Sequence, residues 1–115
     1  MTSTNHSITL INQPDNDNSI KVDFLPLKKA GLVLRAMNHK LRQQIIKLLD
    51  ENQRMTVTEI YVKLRLEQSV ASQHLAILRR AGIVATQRDG KFIFYTVNYN
   101  RVSELMRFVN DVIRS

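Results

Sequence analysis

The chain has 115 residues, 43% of them hydrophobic, which is the size and apolar content of one domain with one core. It contains no Cys, so disulfides, thiolate metal sites and thiol redox switches are excluded together. Seventeen Lys and Arg against ten Asp and Glu give a net charge of +7, and the excess is uneven: residues 1 to 27 carry −2 and the remainder +9. A body this basic points toward nucleic acid or an anionic membrane surface. No long uncharged apolar run is present and no basic start leads into an apolar stretch, so a soluble, cytoplasmic protein without a membrane partner is expected.

Residues 1 to 26 mix Ser, Thr, Asn, Asp and Pro with short apolar pieces such as Ile8 to Ile11, and read as a flexible arm preceding a domain over 27–115. Asp15, Asp17 and Ser19 resemble the start of a calcium loop, but Ile20 replaces its glycine and Pro26 its terminal Glu, which rejects that reading. From Leu27 to Met37, Leu32, Val33, Ala36 and Met37 keep helical spacing, and Asn38 is placed to cap a second helix ending near Asn52. In that helix Leu41, Ile45, Leu48 and Leu49 form the inward stripe, with Arg42, Gln43 and Lys47 expected to face water. Gln53-Arg54 then reads as a plain solvated turn.

Thr56-Val57-Thr58-Glu59 is a capping box that starts a third helix, whose apolar face is Val57, Ile60, Tyr61 and Leu64. Arg65-Leu66-Glu67 has the length of the turn in a helix-turn-helix, and a fourth helix is expected from about Gln68 to Ala81, with Gly82 as its left-handed cap. Two strands follow, Ile83 to Arg88 and Lys91 to Val97, around Asp89-Gly90, a strong hairpin signal. Asn98 or Asn100 caps a last helix with Val102, Leu105, Met106, Val109 and Ile113 in register. The fold class is therefore mainly α with a two-stranded β-hairpin wing, in the order helix-helix-helix-helix-hairpin-helix.

At 100° per residue the fourth helix turns Val70, Ala71, His74, Leu75, Ile77 and Leu78 to one side. The other side collects Ser69, Ser72, Gln73, Ala76 and Arg80, with Gln68 at its start and Arg79 at its edge, and the helix holds no acid. Gln reads adenine bidentately, Ser pairs with several base edges, and small side chains allow close approach, so this face suits the major groove of double-stranded DNA. The plainer alternative is an ordinary solvated face. Arg88 and Lys91, expected to face each other across the turn, form a like-charged pair that a phosphate beside the groove would relieve. His74 lies in the apolar arc, so packing with one hydrogen-bonded nitrogen is preferred over a DNA contact. Tyr61, Phe92, Phe94, Tyr95 and Phe108 sit at strand and helix periods and read as core or dimer packing.

Residues 28 to about 113 resemble the ArsR-type winged-helix transcriptional repressors. The likeness rests on Leu41 to Leu49 (LRQQIIKLL), on Gln68 to Val84 (QSVASQHLAILRRAGIV), and on Arg88-Asp89-Gly90-Lys91 with Tyr95. It implies a homodimer built mainly from the first and last helices, here with Leu32 of the first and the Leu105, Met106, Val109 and Ile113 stripe of the last. It also implies two recognition helices in successive major grooves of a pseudo-palindromic operator, read through Gln68, Ser69, Ser72, Gln73 and Arg80 and braced by Arg88 and Lys91. Metal sensors of that family carry Cys-x-Cys at the start of the third helix, where this chain has Thr56 and Thr58. Other members bind zinc between the last helices through Asp, His and Glu, but residues 99 to 115 hold only Glu104 and Asp111. No metal and no cofactor are expected, which leaves release to a small organic ligand, a protein anti-repressor or no inducer at all. An enzyme is disfavoured by three Gly, three scattered His and no Cys, from which no nucleophile set or phosphate-cradling loop is assembled. A winged helix serving only as a protein-interaction module would expose apolar residues where this chain has Ser, Gln and Arg.

Overall fold

The computed structural model describes residues 6–11 and 18–114. The chain divides between Val33 and Leu34 into two units. The first unit opens with an antiparallel hairpin of β1 (Ser7–Ile11) and β2 (Ser19–Asp23), followed by the start of α1 (Phe24–Met37). Within the segment expected as a flexible arm the described residues pair: the register sets Ile8 opposite Val22 and Leu10 opposite Ile20, so four apolar side chains share one face of a two-stranded ribbon. Low overall apolar content concealed a period-two pattern split by a polar stretch. Positions 1–5 and 12–17 of that arm lie outside the described residues. Helix α1 begins three residues before the expected Leu27, because Pro26 falls in the first turn, where its missing N–H is not needed. The Phe24 N–H donates to the His6 carbonyl at 2.7 Å.

The second unit carries the end of α1, then α2 (Lys40–Asn52), α3 (Val57–Leu64), α4 (Gln68–Arg80), β3 (Val84–Asp89), β4 (Phe92–Val97) and α5 (Tyr99–Ile113), in the order read from the sequence. Its centre is made by Ile45 and Leu49 of α2, Ile60 of α3, Leu75 and Leu78 of α4 and Ile83 before β3, all fully buried. These are the stripe positions of three amphipathic helices meeting at the root of the hairpin. Met55 adds a one-residue bridge, exchanging backbone bonds with Tyr95 at 2.8 and 3.2 Å, which anchors the hairpin to the α2–α3 connection.

Each helix end has an identifiable cause. The capping box of α3 forms as expected, with Glu59 N–H on Thr56 Oγ1 at 3.2 Å and Thr56 N–H on Glu59 Oε1 at 2.8 Å. Asn98, not Asn100, caps α5 through Arg101 N–H. Gly82, at φ +76°, terminates α4 with Ile83 N–H on the Leu78 carbonyl and Gly82 N–H on that of Arg79. The same bond pattern ends α3, where Leu66 N–H reaches Tyr61 and Arg65 N–H reaches Val62, but the left-handed residue is Arg65 at φ 56°.

Two expectations about α2 are corrected. Its N-cap is His39, not Asn38: the His39 Nδ1 accepts from Leu41 N–H at 3.1 Å. Arg42, expected in water, is only 6% exposed, because its guanidinium is drawn onto carbonyls at the end of α1.

Candidate nucleic-acid interface

Helix α4 packs through Ala71, Leu75 and Leu78 and leaves Gln68, Ser69, Ser72, Gln73, Ala76, Arg79 and Arg80 exposed. The face carries amide, hydroxyl and guanidinium groups together with the small side chains of Ser69, Ser72 and Ala76, which allow a partner to approach closely. Ser72, Ala76, Arg79 and Arg80 line an open cleft with Tyr95 of β4. Tyr95 and Arg79 are thus additions to the set read from sequence. Tyr95, read from the strand period as core or dimer packing, is half-buried, and its place beside α4's outer face is not visible in that period.

The wing differs from expectation in register. Asp89 pairs with Phe92 and Arg88 with Ile93, so the two-residue turn is Gly90-Lys91 and not Asp89-Gly90. Gly90 takes φ +63° at the first turn position while Lys91 keeps negative φ, the pattern of a type II′ turn; centring the turn on Asp89 would have forced that residue left-handed. Arg88 therefore does not face Lys91, and no like-charged pair across the turn calls for an anion. Both cations nevertheless stay exposed near the tip, with Arg88 Nε on the Gly90 carbonyl at 3.3 Å and Lys91 Nζ 5.5 Å from the centre of the Phe92 ring. Phe92 itself is 51% exposed and belongs to no core.

Arg54 is more than part of a solvated turn. Its Nη1 pairs with Asp89 Oδ2 at 3.3 Å and its guanidinium carbon lies 4.0 Å over the centre of the Phe94 ring, so it braces the wing from the α2–α3 connection. The pair also ties up the wing's one carboxylate, leaving Arg88 and Lys91 as its uncompensated charges. Neighbouring Gln53 has φ 69° and ψ −48°, with Arg54 N–H bonded to the Asn52 carbonyl at 2.8 Å, a tight three-residue turn that orients Arg54.

His74 is half-buried on the inner side of α4, and its Nδ1 lies 3.2 Å from Arg42 Nη1, the placement that its angle on the helix predicts. Burial, then the neighbouring His39, then Arg42 hold its pKa below the ordinary histidine value. Tyr99, at the start of α5, donates to Asp50 Oδ1 at 2.6 Å, and that bond raises its phenol above the usual range.

Helix α5 is 15 residues long and buries none of them fully. Leu105 and Val109 are half-buried, whereas Met106, Phe108, Val112 and Ile113 are exposed, Ile113 to 71%. Phe108 and Val112 widen the stripe expected from periodicity. Leu32 of α1 is also exposed. Thr56 Oγ1 is committed to its capping box, and no group of three potential metal ligands occurs among the described residues. No helix among the described residues is long and apolar enough to cross a membrane.

Residues 39–86 match the family described as bacterial regulatory protein, arsR family. An uncharacterized HTH-type transcriptional regulator of Methanocaldococcus jannaschii is 36% identical over 85 residues, which span 74% of this chain and 96% of that protein. The transcriptional activator HlyU of Vibrio cholerae is 38% identical over 82 residues, 71% of this chain and 75% of HlyU. Among solved structures, the transcriptional repressor PagR of Bacillus anthracis superposes with a TM-score of 0.61 at 30% identity, covering 76% of this chain and all of PagR.

Proposed function

The chain belongs to the ArsR family of bacterial regulatory proteins, and from that premise we propose that it is a cytoplasmic, sequence-specific, double-stranded DNA-binding repressor acting as a homodimer on a pseudo-palindromic operator. The observation that carries the reading is the exposed, acid-free face of α4, where Gln68, Ser69, Ser72, Gln73 and Arg80 stand clear of the core beside a cleft shared with Tyr95. In this reading Gln73 and Gln68 read base edges by two-pronged amide bonds, Ser69 and Ser72 adapt to neighbouring bases, and Arg80 reaches guanine or phosphate. Arg88 and Lys91 hold backbone phosphate beside the groove and set register without reading sequence.

Dimerisation through Leu105, Met106, Val109 and Ile113, joined by Leu32 of α1, accounts for a helix that its own chain leaves half uncovered. Repression follows by occupation of the promoter. The relatives include a protein named an activator and others named repressors; repression by this chain requires an operator that overlaps the site of polymerase. No metal or other cofactor enters the mechanism.

Selection of a random duplex pool by the full chain, followed by titration of the enriched sequence, tests the proposal. An affinity at physiological salt at least about a thousandfold above that for random DNA is expected. A pool that never converges, or a ratio near unity, contradicts it.

A further inference from the structure

Arg42 is the one buried charged residue among the described residues. Its Nε donates to the Ala36 carbonyl at 2.7 Å and its Nη2 to that of Arg35 at 3.0 Å. Asn38 N–H covers the Leu34 carbonyl at 3.0 Å, and His39 N–H and Gln43 Nε2 cover Met37 at 2.9 and 3.0 Å, so all four carbonyls left open at the end of α1 are satisfied. The described ion pairs are Arg54 with Asp89 and Arg114 with Asp111, so no carboxylate neutralises Arg42. Its compensation is the negative end of α1 and one further acceptor, His74 Nδ1 at 3.2 Å.

That last bond fixes a protonation state. Arginine only donates, so the His74 Nδ1 must carry a lone pair and the ring must be neutral with its proton on Nε2. His39, whose ring centre is 4.8 Å from that of His74, likewise uses its Nδ1 as an acceptor, for the Leu41 N–H that starts α2. One permanent cation therefore sits against a ring whose Nδ1 must offer a lone pair, and a second ring with an accepting Nδ1 packs on the first. A proton on His74 Nδ1 removes that acceptor and adds a second positive charge beside Arg42. The other charged groups on elements packed against α4 are engaged or in solvent: Glu59 in its capping box, Asp50 bonded to Tyr99, and Lys40, Lys47 and Glu51 of α2, Lys63 of α3 and Arg88 and Asp89 of β3 exposed.

We infer that Arg42 and His74 form an acid-sensitive tie that positions the recognition helix, so that protonation of His74 loosens α4 and releases the operator. The inference rests on the DNA-binding reading above and adds positioning residues to it. His74 precedes Leu75 of the core and follows Gln73 of the exposed face, so what holds its ring holds the turn that presents Ser72 and Gln73. Its sign is diagnostic. Extra positive charge alone strengthens attraction to phosphate on acidification, whereas loss of the tie weakens specific binding.

The test compares the wild-type chain with His74→Asn by fluorescence titration of the selected duplex and of random DNA, at constant ionic strength, near pH 8 and near pH 5.5. Asn keeps an acceptor close to the Nδ1 position but takes up no proton. The wild type should lose about tenfold or more of its preference for the selected duplex at the lower pH, and the variant less than about threefold. Should that variant not fold, His74→Gln carries the comparison. Undiminished wild-type preference at the lower pH overturns the inference, and so does an equal loss in wild type and variant. If no duplex is selected at the higher pH, it is the DNA-binding reading that fails. The tie is then decided by melting temperatures, where a larger acid-induced drop in the wild type than in the variant supports it and equal drops overturn it.

Discussion

Arg65 occupies left-handed backbone at the turn between α3 and α4, where a Cβ is penalised and glycine is not. Arg65→Gly should stabilise the chain by about 0.5–1 kcal/mol in urea unfolding, the conformational relief being partly offset by a more flexible unfolded state. A second residue-scale outcome concerns Tyr99, whose hydroxyl must keep its proton to donate to Asp50. In an alkaline spectroscopic titration one of the three phenols should ionise above the ordinary value near 10, and Asp50→Asn should bring it back toward that value. His74 supplies the acid counterpart. Its folded pKa is lowered, so the native state binds fewer protons than the unfolded chain. Its stabilisation is present above the ordinary value of about 6.5 and is lost as pH falls from there through the lowered value. Melting temperature should therefore drop across that window, and His74→Asn should flatten the drop. The bland appearance of Arg42 in the sequence shows where single-residue reading stops: a long cation beside Gln43 on an amphipathic helix looks solvated, and only the end of α1, arriving from six residues earlier, explains its burial.

The elements were more legible than their joints. The outer face of α4 was readable because burial on a packed helix follows a 3.6-residue period, and every residue assigned to that face is exposed. The wing's existence was equally plain, but its register was not, since either Asp89-Gly90 or Gly90-Lys91 makes a two-residue turn. The outcome depended on which residue adopts positive φ. The N-terminal ribbon escaped notice because each strand has only two apolar residues on the shared face, too few to stand out amid Ser, Asn and Asp. At this scale the cap of α4 gives a sharp expectation. Gly82→Ala places a Cβ 3.4 Å from Arg101 Nε at φ +76°, disturbing the bond from Arg101 Nε to the Ala81 carbonyl that ties α5 to the end of α4. A loss of about 1–2 kcal/mol in chemical denaturation is expected.

For the whole molecule, the proposed function assigns attraction to the basic residues of positions 28 to 115 and association to the exposed stripe of α5. A single small domain contacts few phosphates, and pairing two on one duplex multiplies their affinities. Met106→Glu/Phe108→Glu should therefore sediment as a folded monomer and bind the selected duplex at least about tenfold more weakly, while a variant that stays dimeric would remove α5 from the interface.

The division of labour between helix and wing is tested most directly by measuring the affinities of Gln73→Ala and Lys91→Ala for the selected duplex, for its single-base variants and for random DNA across a salt series. Gln73→Ala should lose discrimination at particular base pairs while keeping its salt dependence; Lys91→Ala should weaken every sequence alike and reduce the slope of log affinity against log salt by about one. Equal losses of discrimination from both substitutions, or an unchanged base profile in Gln73→Ala, would contradict the reading of α4 as the surface that recognises sequence.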